Sequence, residues 1–236
     1  MKIAKNDVKS IIYARICAGA PGQVWTASDF ADFGPRDALD KAFQRLVATD
    51  KLRRIDRGLY DRPSINQLTG KPTAADYRAV IDAIVRRNQT RVLVDGMTAA
   101  NDLGLSDAVP GRVIVHSDTR LKPLHLGNLT ITFRPTSASK LYWAGRPAMR
   151  IVQALHWLKP KISNPAASPH IRQRIESIFS DRQGGAVLRK DLKKGLASLP
   201  SWMQDFLRDM VSEDRPSSTK SSSRKPDRKR RKAPAS

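Results

Sequence analysis

The chain has 236 residues, enough for one large or two modest domains, and its 43 lysines and arginines against 22 aspartates and glutamates give a formal net charge of +21. A sequence pI near 10.7 narrows its partners to polyanions, with nucleic acid first and an anionic membrane surface second. The single cysteine, Cys17, excludes an intramolecular disulfide and a metal site built from cysteines. The start, MKIAKNDVKS, lacks the apolar centre of a signal peptide, and no apolar run approaches the ~20 residues of a membrane helix, so a soluble, cytoplasmic protein is expected.

In chain order, residues 5–18 carry Val8, Ile11, Ile12 and Ile16 at helical spacing, and Gly19 and Pro21 end that helix. Trp25 suits a short strand. Ser28 is a natural N-cap for a brief helix over residues 29–32, Gly34 supplies a turn, and Pro35 suits the first position of the next helix. In that helix Leu39, Ala42, Phe43, Leu46 and Val47 recur every three or four residues as a buried face. Arg36, Asp37, Asp40, Lys41, Gln44 and Arg45 are left outside. Leu52 to Ile55, a turn at Asp56-Arg57-Gly58, and Leu59-Tyr60 then read as two strands around a glycine hairpin. The series predicts a winged helix-turn-helix over residues 1–66.

Geometry and charge assign this device its chemistry. One helix fits the major groove of B-DNA, where arginine, lysine and glutamine reach base edges, while hairpin arginines lie along phosphates or enter the minor groove. The candidate DNA contacts are therefore Arg36, Lys41, Gln44 and Arg45 on the helix and Arg53, Arg54 and Arg57 on the wing. Asp37 and Asp40 repel phosphate; they either accept from cytosine amino groups or pair with Lys41 and Arg45. An amphipathic helix and hairpin with ordinary solvated charge leaves the ordered series of cap, turn, core and wing unexplained.

Pro63, Gly70 and Pro72 break any periodicity, and residues 67–73 read as a linker. Residues 74–211 alternate helices and strands: a helix over 74–88, strands at 91–94 and 112–116, and a short helix over 97–105 closed at Gly104. LTITF at 129–133 follows Gly127-Asn128 and pairs as a hairpin with PLHL. Helical stretches follow at 147–158, 169–180, 186–198 and 202–211. This is a small mixed-sheet α/β domain whose strand order the sequence leaves open. Asp95, Gly96, Thr98, Asn101 and Asp102 form either a polar functional surface or a capped helix packed through Ala99, Ala100 and Leu103; the packing reading is preferred. From Ser212 onward proline, serine, lysine and arginine replace aliphatic residues, so 212–236 is expected to be a disordered basic arm that meets phosphate nonspecifically.

Catalytic patterns are sparse. No Gly-Ser turn precedes paired aspartates as a nucleotidyltransferase needs, and there is no P-loop. His116-Ser117-Asp118 is the nearest thing to a nuclease cluster, while His116, His125, His156 and His170 read as surface or packing residues. No enzymatic activity, cofactor or metal is expected.

A winged start ending in RGLY followed by Asp61-Arg62-Pro63, then DGMTAANDLGL at 95–105 and Gln153-Ala154-Leu155 on a helix, resembles the AbiEi family of antitoxins over roughly residues 1–158. The resemblance implies a toxin–antitoxin locus whose antitoxin represses its own promoter through the winged domain. It also implies that the second domain counters a nucleotidyltransferase-type toxin, without needing a stable complex. The basic arm departs from that pattern. Two alternatives stay open: nonspecific DNA or RNA binding driven by basic surface and tail, and a metal-dependent enzyme in the second domain.

Overall fold

A computed structural model describes residues 7–108, 111–164 and 166–212. The start of the first predicted helix, at Lys5, and the basic arm from residue 213 lie outside the described residues. The fold is mixed α/β, with two small sheets and a helical layer. Among the described residues no helix is long and apolar enough to cross a membrane.

The N-terminal unit follows the predicted order: α1 (Val8–Ala18), β1 (Val24–Trp25), a 3-10 helix (Ala27–Phe33), α2 (Arg36–Ala48), β2 (Arg53–Asp56) and β3 (Leu59–Asp61). Its sheet runs β1-β3-β2 and is antiparallel throughout. Leu39, Ala42, Phe43 and Leu46 of α2 are buried against Ile12 and Ile16 of α1 and against Phe30. Phe43 stacks on Tyr60 of β3 with ring centroids 4.4 Å apart, tying the helix to the wing. Two local details differ from expectation. The cap of the 3-10 helix is Thr26 rather than Ser28: its backbone N–H donates to Asp29 at 2.8 Å and its hydroxyl donates to the same carboxylate. Pro35 is the extended cap residue of α2, which begins at Arg36. The helix ends through Asp50 in the left-handed region at φ 53°, with the Lys51 N–H donating to the Leu46 carbonyl.

Residues 64–73 are not a plain linker but a small hairpin loop, closed by Asn66 N–H to Lys71 O at 2.9 Å and Thr73 N–H to Ser64 O at 2.8 Å. Then come α3 (Tyr77–Asn88), β4 (Val92–Val94), α4 (Gly96–Asp102), β5 (Arg112–Ser117), β6 (Leu124–Leu126) and β7 (Leu129–Pro135). The second sheet is ordered β4-β5-β7-β6; β5 and β7 are parallel and the other pairs antiparallel. The predicted β6–β7 hairpin forms through Gly127 at φ 62° followed by Asn128, the glycine-first geometry of a two-residue turn.

The apolar face of α3 does not serve the second sheet alone. Val80, Ile81 and Ile84 share one core with Val92, Val113, Val115, Ile131 and Phe133 of that sheet and with Val24 and Leu59 of the N-terminal sheet. The predicted boundary at 67–73 is therefore a break in the sequence pattern, while the hydrophobic core runs across it.

The helical layer comprises α4, α5 (Met149–Ile162), α6 (Ser168–Phe179), α7 (Gly185–Gly195) and α8 (Ser201–Ser212) around a third core. α4 and α5 approach each other closely at the start of α4, where a Cβ on Gly96 would lie 2.6 Å from both the Gln153 carbonyl oxygen and the Trp157 Cβ. Asp95 ties this turn together: it accepts from the backbone N–H groups of Met97 and Thr98, the Thr98 hydroxyl and the Ile114 N–H. Gly96→Ala is expected to lower thermal stability by about 1–3 kcal/mol through overpacking. Equilibrium urea unfolding checks this, as a lower midpoint with an unchanged slope against denaturant.

Candidate nucleic-acid interface

A 3.6-residue repeat advances about 100° per residue, so α2's core residues leave a solvent pole at Asp37, Lys41 and Gln44 and a flank at Arg36, Asp40 and Gln44. That flank forms one wall of an open cleft of about 640 Å³. The wing supplies Arg54, Asp56 and Arg57, and the floor contains Tyr60, Ile84 and Phe133. The far wall comes from the other side of the sequence boundary: Arg87 and Asn88 at the end of α3, and Arg120, Leu121 and Lys122 between β5 and β6. Six cationic side chains thus line the cleft against two carboxylates.

Each wall is held in place. Asp40 pairs with Arg36, whose Nε donates to both carboxylate oxygens at 3.1 and 3.0 Å, rather than with Lys41 or Arg45. Both partners are exposed, so the pair adds little stability and can open to a ligand. The wing turn needs Gly58 at φ 72°, and the Arg57 carbonyl accepts from Arg87 Nη1 at 2.9 Å. One residue earlier, Arg86 donates to the Val24 carbonyl at 2.9 Å and to the Asp29 carboxylate. The β5–β6 connection is anchored by Asp118, which accepts from the Thr90 hydroxyl and from the Arg91 N–H at 3.1 Å. The Thr90 hydroxyl, joined by the Arg91 amide, holds this carboxyl below its ordinary range even as desolvation opposes it. Asp118 thereby shapes a loop, and neighbouring His116 sits in the β5 ladder opposite Leu93.

The seven residues singled out in the sequence separate into three groups. Arg36, Gln44, Arg54 and Arg57 meet in the cleft. Lys41 and Arg45 are exposed on α2 but do not line it. Arg53 is committed elsewhere: Nε and Nη2 form a two-point pair with Asp61 at 3.0 and 2.5 Å, and Nη1 donates to the Thr73 carbonyl at 2.7 Å. Asp61 is 1 % exposed, so Arg53 is the counter-charge of a buried carboxylate and not a free wing contact. Arg87, Arg120 and Lys122 escaped the sequence reading because one ends a helix and two sit in a connecting loop, all beyond the predicted boundary. The segment 95–102 is engaged in packing: besides the Asp95 cap, Asp102 accepts from Tyr77, Arg78 and Arg150. Burial, reinforced by Asp102, pushes the Tyr77 hydroxyl well above its ordinary value.

Among the described residues no group of three or more His, Cys, Asp or Glu side chains is placed to hold a metal ion. A model for a family of unknown function, DUF6088, matches residues 12–182, and the chain belongs to that family. The matched stretch runs from within α1 to just beyond α6 and contains both walls of the cleft. Comparison with curated proteins yields no match.

Arg53→Ala leaves the Asp61 carboxylate buried without its partner and is expected to lower stability by about 3–5 kcal/mol. Arg54→Ala and Arg57→Ala, at exposed positions, are expected to stay within about 0.5 kcal/mol of the parent. Chemical denaturation of the three variants side by side checks the contrast.

Proposed function

We propose that this protein is a sequence-specific DNA-binding autorepressor and the antitoxin of a toxin–antitoxin pair, acting in the cytoplasm. In this reading α2 enters the major groove, Arg36 and Gln44 read base edges, Arg54 and Arg57 of the wing lie on the backbone, and Lys41 and Arg45 flank the contact. The observation that carries it is the convergence of α2's Arg36–Gln44 flank and the wing arginines on one cation-rich cleft. Arginine and glutamine suit the task because each can make a two-point contact to a purine edge. The antitoxin half rests on the resemblance to AbiEi antitoxins, which assigns the second unit to countering a nucleotidyltransferase-type toxin.

The test is binding of the full chain to duplex DNA from directly upstream of its own gene and to a scrambled duplex. Arg36→Ala and Gln44→Ala are each expected to weaken the upstream complex by about 1–3 kcal/mol and to leave the scrambled one nearly unchanged. Equal losses on both duplexes reject base reading. Growth arrest by a nucleotidyltransferase-type toxin from the same locus is expected to be relieved by this chain, and arrest that persists in its presence removes the antitoxin half.

A further inference from the structure

The geometry points to a phosphate-binding wall in the second unit: Arg120 and Lys122, in the β5–β6 connection, take one strand of a DNA backbone that runs along the cleft beside α2. This rests on the duplex-DNA reading above and adds a binding site to a unit that the resemblance assigns to the toxin alone.

Three observations carry it. The cleft takes cations from both units, Arg36, Arg54 and Arg57 from the winged unit and Arg87, Arg120 and Lys122 from the second. One of its two carboxylates, Asp40, is already paired with Arg36, so the remaining excess of positive charge has no counter-charge within the cleft large enough to match it. The walls are also fixed relative to each other, through the common core of Val24, Leu59 and α3 and through Arg87 bonded to the wing carbonyl of Arg57. The cleft of about 640 Å³ is open to solvent, so one backbone strand of a duplex can lie along it while the rest of the duplex stays outside. Such a strand borders the major groove wherever a helix occupies it, so a helix seated there brings phosphates to the far wall. Arg120 and Lys122 are both exposed and free to meet them, whereas Arg87 serves first to position the wing.

The experiment compares the full chain, the Arg120→Ala/Lys122→Ala double variant, and a charge-matched Lys193→Ala/Lys194→Ala control on exposed α7 positions outside the cleft. Affinity for the upstream and the scrambled duplex is measured across a salt series. Loss of two phosphate contacts is expected to flatten the slope of log affinity against log salt by about 1.8, at about 0.9 per contact. Both duplexes should lose affinity alike, leaving their ratio unchanged, and the control should keep the parental slope. A double variant with the parental slope, or a control that flattens as much, overturns the assignment. The readout is separable from the autorepressor reading: a parent that binds both duplexes equally refutes base reading while the slope difference still supports this wall. A parent that prefers the upstream duplex, with no slope difference in the double variant, refutes the wall alone. A parent that binds neither duplex refutes both.

Discussion

Val24 and Leu59 belong to the small sheet of the winged unit, yet they bury their side chains with Val80, Ile81 and Ile84 of α3 and with the strands of the second sheet. Each aliphatic side chain fully removed from water contributes roughly 1.5–3 kcal/mol, so several of them spanning the two units hold those units together more firmly than a flexible tether would. The orientation of α3 follows from that burial. Its last turn is brought against the small sheet, where Arg86 finds the Val24 carbonyl of β1 and Arg87 the Arg57 carbonyl of the wing. The β5–β6 connection is likewise brought to the cleft that α2 lines. The cleft is a consequence of hydrophobic contact beneath it.

Charge is partitioned by burial rather than by residue type. Several carboxylates are consumed as internal organisers: Asp61 by Arg53, Asp102 by Tyr77, Arg78 and Arg150, and Asp191 by Arg146 and the Ala148 N–H. Arg78 shows the balance, since burial alone would lower its pKa, and the hydrogen bond and charge of Asp102 raise it instead. Those three carboxylates engage four arginines, Arg53, Arg78, Arg146 and Arg150, so the cationic excess that remains comes from the composition, 43 lysines and arginines against 22 acidic residues. Chemically identical neighbours then diverge: Arg53 is a structural counter-ion, and Arg54, one residue on, faces the cleft.

That divergence had a local signal. In β2 burial alternates, with Arg53 and Ile55 on the inner side and Arg54 and Asp56 outside, the period-two pattern of a half-buried strand. Arg53 also sits directly opposite Asp61 in the ladder. Arg53 and Arg54 are therefore split between the two faces of β2 and do not form one charged ribbon. The capping of the 3-10 helix was similarly one turn from legible, because Thr26 and Asp29 have the spacing of a capping box and compete with Ser28 for the same role.

By itself the sequence determined the elements whose causes lie within a turn or two of the chain: the apolar face of α2, the Asp56-Arg57-Gly58 turn of the wing, the Gly127 hairpin and the run of C-terminal helices. Periodicity, capping and turn chemistry act between neighbours, so they leave a local trace. Only the tertiary structure decided the order β4-β5-β7-β6, the burial of Val24 and Leu59 against α3, and the meeting of Arg87, Arg120 and Lys122 with Arg36 and Gln44. Those pairings depend on which of many chemically equivalent aliphatic faces pack together. Hydrophobic attraction is non-directional and carries no address in the local sequence.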